Sequence, residues 1–239
     1  MRIPPQPFSL MRPAWQAAAL LTVAVGLALG VVADSDLNRM ERLADARYGP
    51  ATGDLVARWR DLINETSGMP TADKLARVNR FFNRQVRWRQ DVDIWGQNDY
   101  WATPLETLGR REGDCEDFSI SKYMTLVLAG VPVEQLRITY VKAAMGAPGS
   151  GLSQAHMVLA WYESPGAEPL ILDNLVSEIR PASRRQDLKP VFGFNTQGLW
   201  VGAATRAATN DPGARLSRWR DLLQRMADDG LSPGPLTTE

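Results

Sequence analysis

Two residues of this sequence occur only once and could act together in catalysis. Cys115 is the only cysteine and His156 is the only histidine. A thiol attacks a carbonyl carbon once an imidazole has taken its proton, so the two side chains could perform nucleophilic catalysis. A single cysteine excludes an internal disulfide. One thiol and one imidazole also cannot supply the four nitrogen and sulfur ligands of a structural zinc site.

Cys115 lies at the start of a predicted helix. It stands within the segment Gly113–Asp117, and apolar residues keep helical spacing from there until Gly130. Unpaired N–H groups and the positive end of the macrodipole favour a thiolate at such a position. Asp114 and Glu116 oppose ionisation of the sulfur, so we expect a compensating cation, either an imidazolium or a metal ion. The alternative is an inert buried cysteine, which the flanking acids disfavour.

His156 lies in a strand-like segment that a turn-rich stretch, residues 163–169, joins to a second predicted strand. If the resulting hairpin pairs His156 directly with Asp173, the turn is centred between Ser164 and Pro165, inside the predicted loop. The two side chains then lie on the same face of the sheet. A β-bulge would shift this register by one residue and separate them.

Cys115, His156 and Asp173 together could serve as the nucleophile, base and orienting acid of a catalytic triad. Cys115 would attack a carbonyl, His156 would take the thiol proton, and Asp173 would hold the imidazole in the required tautomer. The Cys115 backbone N–H is a natural oxyanion donor at a helix start. We expect a second donor from Gln97 or Asn98.

The elements that must position these residues indicate a single α+β domain, with N-terminal helices packed on an antiparallel sheet. Helical spacing recurs at 37–44, 55–63, 75–86 and 214–227. Strand-like runs occupy 136–141, 155–162 and 170–175. One face of the third helix carries a run of basic residues that we expect to face solvent, namely Lys74, Arg77, Arg80 and Arg84.

Charge and the N-terminus restrict the class of protein. Lys plus Arg and Asp plus Glu both number 27, so no polybasic surface is available for nucleic acid. Residues 1–33 predict a signal peptide cleaved before Asp34, and a retained membrane anchor is the alternative. Under either interpretation of the N-terminus, residues 34–230 lie outside the cytoplasm. We expect them to form one domain, followed by a flexible tail at residues 231–239.

Four short segments of the sequence resemble one known family, the bacterial transglutaminase-like cysteine peptidases of the LapG type. The resemblance extends from about Leu75 to Trp200, and the segments that carry it are Asp99–Glu106, Gly113–Asp117, Gln154–Val158 and Leu172–Asn174. It implies a papain-like transglutaminase fold.

The same resemblance implies a function. Members of this kind are periplasmic, calcium-dependent endopeptidases that cleave the N-terminal region of a large surface adhesin beside a paired-alanine motif and so release biofilm cells. An inner-membrane cyclic di-GMP receptor of the LapD type sequesters them. Cys115, His156 and Asp173 match the catalytic triad of the family, and Asp114 and Glu116 match the acidic residues tied to calcium.

Calcium is also plausible from the residues, because hard cations prefer several carboxylate oxygens and acidic residues are concentrated in this region. Asp117 and the segment Asp91–Asp99 could add ligands to Asp114 and Glu116. The segment has acidic residues at some positions of an EF-hand loop, but Trp95 and other residues break the pattern. The alternative is that Asp114 only caps the helix and binds no metal.

Two other functions remain open at the level of sequence. An amidase or acyltransferase would use the same triad, because water or an amine can resolve an acyl-enzyme. A non-catalytic binding module could keep the fold, although the presence of all three triad residues disfavours it. The sequence specifies neither the cleavage motif nor the residues that contact a receptor.

Overall fold

The structure is a computed structural model that describes residues 37–146 and 150–231. The described residues belong to one compact unit that begins at Leu37. The predicted export segment, residues 1–33, lies outside the described residues, and so does the predicted tail apart from Leu231. Within the described ranges, no helix is both long and apolar enough to cross a membrane.

Helices form most of the first half of the described chain. They are α1 (37–48), α2 (Pro50–Ser67), α3 (Thr71–Gln85), α4 (Asp91–Trp95), α5 (Pro104–Arg110), α6 (Cys115–Leu128) and, near the end, α7 (Ser217–Asp229). Short 3-10 helices lie at Val133–Gln135 and Ala182–Arg184. The predicted helical segments are confirmed, with the last helix beginning at Ser217.

Strands form most of the second half. Their bounds are β1 (Arg87–Trp88), β2 (Glu112–Gly113), β3 (Leu136–Ala144), β4 (Ser153–Trp161), β5 (Leu170–Leu172), β6 (Arg180–Pro181), β7 (Leu188–Phe194) and β8 (Leu199–Val201). The first two form a small parallel pair, and the other six form one antiparallel sheet in the order β6-β5-β4-β3-β7-β8. The predicted α+β class is confirmed.

The two faces of the six-stranded sheet differ in what they pack against, because side chains alternate along each strand. Ile138 and Leu159 belong to the main core, which also contains the apolar sides of the helices. Alternate residues of the same strands form a small separate cluster on the other face, which contains Val141, Val158, Ala160 and Ile171. Among the described residues, the α-helices therefore pack on one face of the sheet.

Helix α6 lies in the middle of the fold, against β4 of the sheet and against α3 and α5. Every residue from 116 to 126 is buried. Polar groups in such a helix need partners inside the protein. The Thr125 hydroxyl donates to the Ser121 carbonyl at 2.7 Å and accepts from the Trp59 indole N–H at 2.7 Å. This bond fixes α6 to α2.

The prediction that the whole basic face of α3 is exposed to solvent is wrong at Lys74. Its side chain is buried, and its ammonium group donates to the Ser67 carbonyl at 2.8 Å and to the Ala129 carbonyl at 2.6 Å. Both carbonyls lie at helix C-termini, where intrahelical donors are missing. The other three basic residues of that face are exposed, as predicted.

We expect Thr125→Val to lower the free energy of unfolding by about 1–3 kcal/mol, because the Trp59 indole N–H is left buried without its acceptor. Urea denaturation measures this loss, and an unchanged m-value shows that the folded state is retained. The double variant Trp59→Phe/Thr125→Val removes both partners, so its loss should be smaller than the sum of the two single losses. If the loss of the double variant equalled the sum of the two single losses, the proposed coupling between Trp59 and Thr125 would be contradicted.

Candidate active site

The start of α6 is fixed by two aspartates that cap each other. Asp114 is the N-cap residue, and its carboxylate accepts from the Glu116 backbone N–H at 3.3 Å. Asp117 accepts from the Asp114 backbone N–H at 3.2 Å and from the Ala102 N–H at 2.8 Å. This capping box places Cys115 as the first residue of the helix. The predicted position of Cys115 is confirmed.

Gly113 is required by the same arrangement. A Cβ atom at this position would lie 2.9 Å from the Cβ and Oδ2 atoms of Asp117. Any larger residue would therefore displace the capping carboxylate. The glycine directly before the cap permits the close approach of the loop to the first turn of α6.

The Cys115 thiol is held by acidic neighbours. Its sulfur donates to Glu116 Oε2 at 3.1 Å. Burial raises the pKa of the thiol well above its usual range, and the charges of Glu116 and Asp114 raise it further. A hydrogen bond from the Met157 backbone acts in the opposite direction. The expectation that flanking acids suppress the thiolate agrees with this geometry, and a cation is needed to reverse the effect.

His156 lies on β4 and lines the same pocket as Cys115, a groove of about 480 Å³. Its ring is buried, with only 3% of the residue exposed. The Nε2 atom lies 2.9 Å from Asp173 Oδ1. This contact leaves Nδ1 as the ring nitrogen available to a thiol or a substrate.

Asp173 is surrounded by donors and positive charge. Besides His156, it accepts from the Leu175 backbone N–H at 3.0 Å, and Arg185 Nη2 lies 2.8 Å from its Oδ2. Burial alone would raise its pKa, but the hydrogen bond and charge of His156, with these further donors, lower the pKa to about 2. The residue is therefore an ionised carboxylate that holds the imidazole in place.

The hairpin register that led to this pair is wrong by two residues. The strands pair Trp161 with Leu170, so the turn is centred one residue later than predicted, and β5 ends at Leu172 instead of Leu175. Asp173 thus lies just beyond the strand end and diagonal to His156. A shift of two keeps both side chains on one side of the strand pair, since side chains alternate with a period of two.

Cys115 and His156 line one groove, and His156 contacts Asp173. The thiol is directed to Glu116, and among the described residues it makes no hydrogen bond to the imidazole. The catalytic roles of the three residues stay a prediction.

A cluster of carboxylates lies beside the nucleophile. Single carboxylate oxygens of Asp91, Asp114 and Asp117 all lie within 4.8 Å of one another, and the set Asp114, Cys115 and Glu116 satisfies the same limit. Asp91 is buried, and its Oδ1 has no hydrogen-bond partner in the described residues. Its other oxygen accepts from the Tyr100 N–H at 2.5 Å. The cluster offers hard oxygen donors, one of them unused, which suits a calcium ion.

Of the acids in the segment 91–99, only Asp91 joins this cluster. Asp93 is exposed, with an oxygen 3.8 Å from Arg89, and Asp99 pairs with Arg218 at 3.0 Å. The segment begins as the short helix α4 and does not form an EF-hand loop. Sequence spacing could not have singled out Asp91, because it reaches the cluster only through tertiary packing.

The carboxylates of the cluster destabilise one another's charged forms. Burial raises the pKa of Asp91 to about 6, against the effect of the Tyr100 N–H, and Glu116 and Asp99 raise it further. Burial also raises the pKa of Asp114 and of Asp117. Capping explains the position of Asp114, as the alternative interpretation held, and the same capping box explains that of Asp117, but capping does not neutralise these charges.

Two buried cations near Asp173 were not predicted. Arg185 is 4% exposed, and it pairs with Asp173 and with Asp187, each at 2.8 Å. Lys122 of α6 is 1% exposed, and burial lowers its pKa to about 7 while the charge of Asp173 acts to raise it. Single basic residues without a motif give no sequence signal for such a role.

Exposed apolar residues form part of the lining of the groove. Trp88, Val92 and Leu175 line it, and between 49% and 54% of each residue is exposed. Asn98 also lines the groove, whereas Gln97 does not. The groove can therefore accept an extended peptide with apolar side chains, and only Asn98 of the two expected oxyanion donors is in reach of it.

Residues 60–187 match the family described as bacterial transglutaminase-like cysteine proteinase. This range includes Cys115, His156 and Asp173. A comparison with curated proteins gave no match.

Solved structures give the same assignment. Legionella pneumophila LapG is 42% identical, with a TM-score of 0.67, over 80% of this chain and 97% of that one. An EGTA-treated form of that protein is 43% identical, with a TM-score of 0.68 over 80% and 97% of the two chains. A calcium-bound form is 41% identical, with a TM-score of 0.68 over 80% and 98%. The chain therefore belongs to the bacterial transglutaminase-like cysteine proteinases and is a cysteine peptidase.

Proposed function

We propose that the protein is a calcium-dependent cysteine endopeptidase that acts outside the cytoplasmic membrane. Its substrate is the N-terminal region of a large cell-surface adhesin, whose cleavage releases biofilm cells. The main support is the groove in which the thiol of Cys115 and the His156–Asp173 pair lie beside an acidic cluster. Similarity to LapG supports the same function.

In the proposed reaction, His156 Nδ1 accepts the Cys115 proton and the thiolate attacks the scissile carbonyl carbon. The imidazolium that forms is stabilised by Asp173, which is ionised and bonded to Nε2. His156 then donates the proton to the leaving amine, leaving a thioester. Water, deprotonated by the same imidazole, resolves the thioester and frees the new carboxylate.

The negative oxygen of the tetrahedral intermediate needs donors near the sulfur. The Cys115 backbone N–H belongs to the first turn of α6, where N–H groups have no partner within the helix. The Asn98 side chain, which lines the groove, is the second donor that we propose. The exposed apolar residues of the groove lining would bind substrate side chains on both sides of the cleaved bond.

Calcium fits the acidic cluster by donor type and number. Asp91, Asp114 and Asp117 supply carboxylate oxygens, and Glu116 supplies a further one beside the sulfur. Bound calcium would supply positive charge that offsets these carboxylates and favours the thiolate. The calcium-bound form of LapG supports this choice of metal.

Location and control follow from the N-terminal sequence and from the LapG resemblance. Residues 1–33 have the composition of an export segment. We propose that an inner-membrane cyclic di-GMP receptor of the LapD type binds the protease in the periplasm and holds it away from the adhesin.

We expect Cys115→Ala, His156→Ala and Asp173→Ala each to reduce turnover on the order of 10³-fold or more, because members of a triad act as a unit. For the same reason, double variants should lose little more than single ones. Appearance of new N-termini in extracted surface proteins, mapped by mass spectrometry, measures the activity. Circular dichroism verifies folding. A folded Cys115→Ala variant with wild-type activity would overturn the thiol mechanism.

We expect calcium chelation to abolish activity reversibly and to lower the thermal unfolding midpoint. Asp91→Asn, Asp114→Ala and Glu116→Ala should weaken calcium binding about tenfold or more, since each removes a charged ligand. Asp93→Asn is the matched control for Asp91→Asn, because it changes the same helix outside the cluster. Isothermal titration calorimetry measures the affinities. Activity indifferent to chelation and to added calcium would leave capping as the only role of Asp114.

We expect cell fractionation to recover the active protein from the periplasm, with an N-terminus at Asp34 if the segment is cleaved. It should co-purify with a multi-domain receptor from detergent-solubilised membranes. A cytoplasmic protein with an intact N-terminus and full activity there would contradict the proposed location. Absence of any membrane receptor in the purified complex would contradict the proposed control.

A further inference from the structure

The sheet face opposite the main core contains a second cavity, of about 290 Å³. Its lining includes residues of five strands, β3, β4, β5, β7 and β8, and is largely apolar. The apolar lining includes Val141, Val158, Ala160, Ile171 and Leu188. None of the residues that line this cavity lines the catalytic groove.

One charged side chain in this lining stands out. Arg137 is 6% exposed, and its guanidinium lies between two aromatic rings, 4.3 Å from the centroid of Tyr162 and 4.2 Å from that of Trp200. Its Nη1 donates to the Ala204 carbonyl at 3.0 Å. Its Nε is buried and has no hydrogen-bond partner in the described residues. The side chain is thus rigidly held but incompletely satisfied.

Arg137 also lacks a counter-charge. Among the residues that the structure describes, no carboxylate forms an ion pair with it, in contrast to Arg185, which pairs with two aspartates. Burial lowers the pKa of Arg137. A buried cation without a partner is costly, and the aromatic faces compensate only part of this cost.

Arg185 contributes a second unsatisfied group to the same cavity. It lines the cavity, and its Nη1 has no hydrogen-bond partner in the described residues. Two guanidinium groups therefore line a largely apolar cavity, and each has one buried donor without a hydrogen-bond partner among the described residues. A ligand that suits this lining has an acceptor group with negative charge at one end and an apolar body.

We propose that this cavity binds a small organic carboxylate, with the carboxylate group on Arg137 and the apolar body against the sheet. Arginine forms paired hydrogen bonds with carboxylates, which suits the planar guanidinium held here. The volume lies at the lower end of the range of small-molecule sites, roughly 300–1,000 Å³. This limits the ligand to a short aliphatic or single-ring acid. The site does not depend on the proposed peptidase function.

The test compares matched acids and amides on the full chain. We expect hexanoate and benzoate to bind with one-to-one stoichiometry in isothermal titration calorimetry. Hexanamide and benzamide, which have nearly the same shape but no charge, should bind about tenfold more weakly or worse. Chloride and inorganic phosphate at the same concentration should not compete with hexanoate.

Three variants assign the binding to the cavity. Arg137→Gln should remove the preference for acid over amide, whereas Arg58→Gln, which neutralises an exposed arginine of α2, should leave it unchanged. Ala160→Leu fills the cavity and keeps Arg137, so it should block acid and amide alike, even if Arg137→Gln fails to fold. Equal affinity for acid and amide, acid binding by folded Arg137→Gln at wild-type strength, or no binding by either acid would each overturn the proposal.

Discussion

The reciprocal capping of α6 by Asp114 and Asp117 is the interaction on which the catalytic arrangement depends. It fixes where the helix begins, and so it fixes Cys115 at the first helical position. Asparagine or serine would cap a helix about as well as aspartate, without burying negative charge. Capping and the positive end of the helix macrodipole explain both the geometry of Asp114 and Asp117 and their acidic character. The calcium ion proposed above would in addition offset their buried negative charge.

Negatively charged groups are concentrated near Cys115, and positively charged groups are concentrated near Asp173. Carboxylates lie beside the sulfur of Cys115, whereas Asp173 pairs with Arg185 and interacts electrostatically with Lys122. Asp173 is thereby kept ionised and can stabilise an imidazolium on His156. The thiol, in contrast, is kept protonated until positive charge is supplied. Positive charge at the acidic cluster would favour the thiolate, and this is the step at which the proposed calcium ion would act.

The sequence was most informative where local rules decide the structure. The α+β class and the helix start at Cys115 follow from periodicity and from acidic and glycine residues in the first turn. The hairpin register was missed by two residues because a long turn with one glycine and two prolines has no single preferred centre. Lys74 was misjudged, and Asp91 was not singled out within its segment, for another reason. Their environments are set by packing between elements that are distant in sequence, and no local pattern reports it.

Arg185 belongs to the surroundings of the candidate active site and to the second cavity. It pairs with Asp173, whose carboxylate contacts His156, and it also lines the cavity that contains Arg137. Its hydrogen bond is one of the factors that keep the pKa of Asp173 low. Arg185 is therefore the residue through which a negative charge bound in the cavity would act on the Asp173–His156 pair.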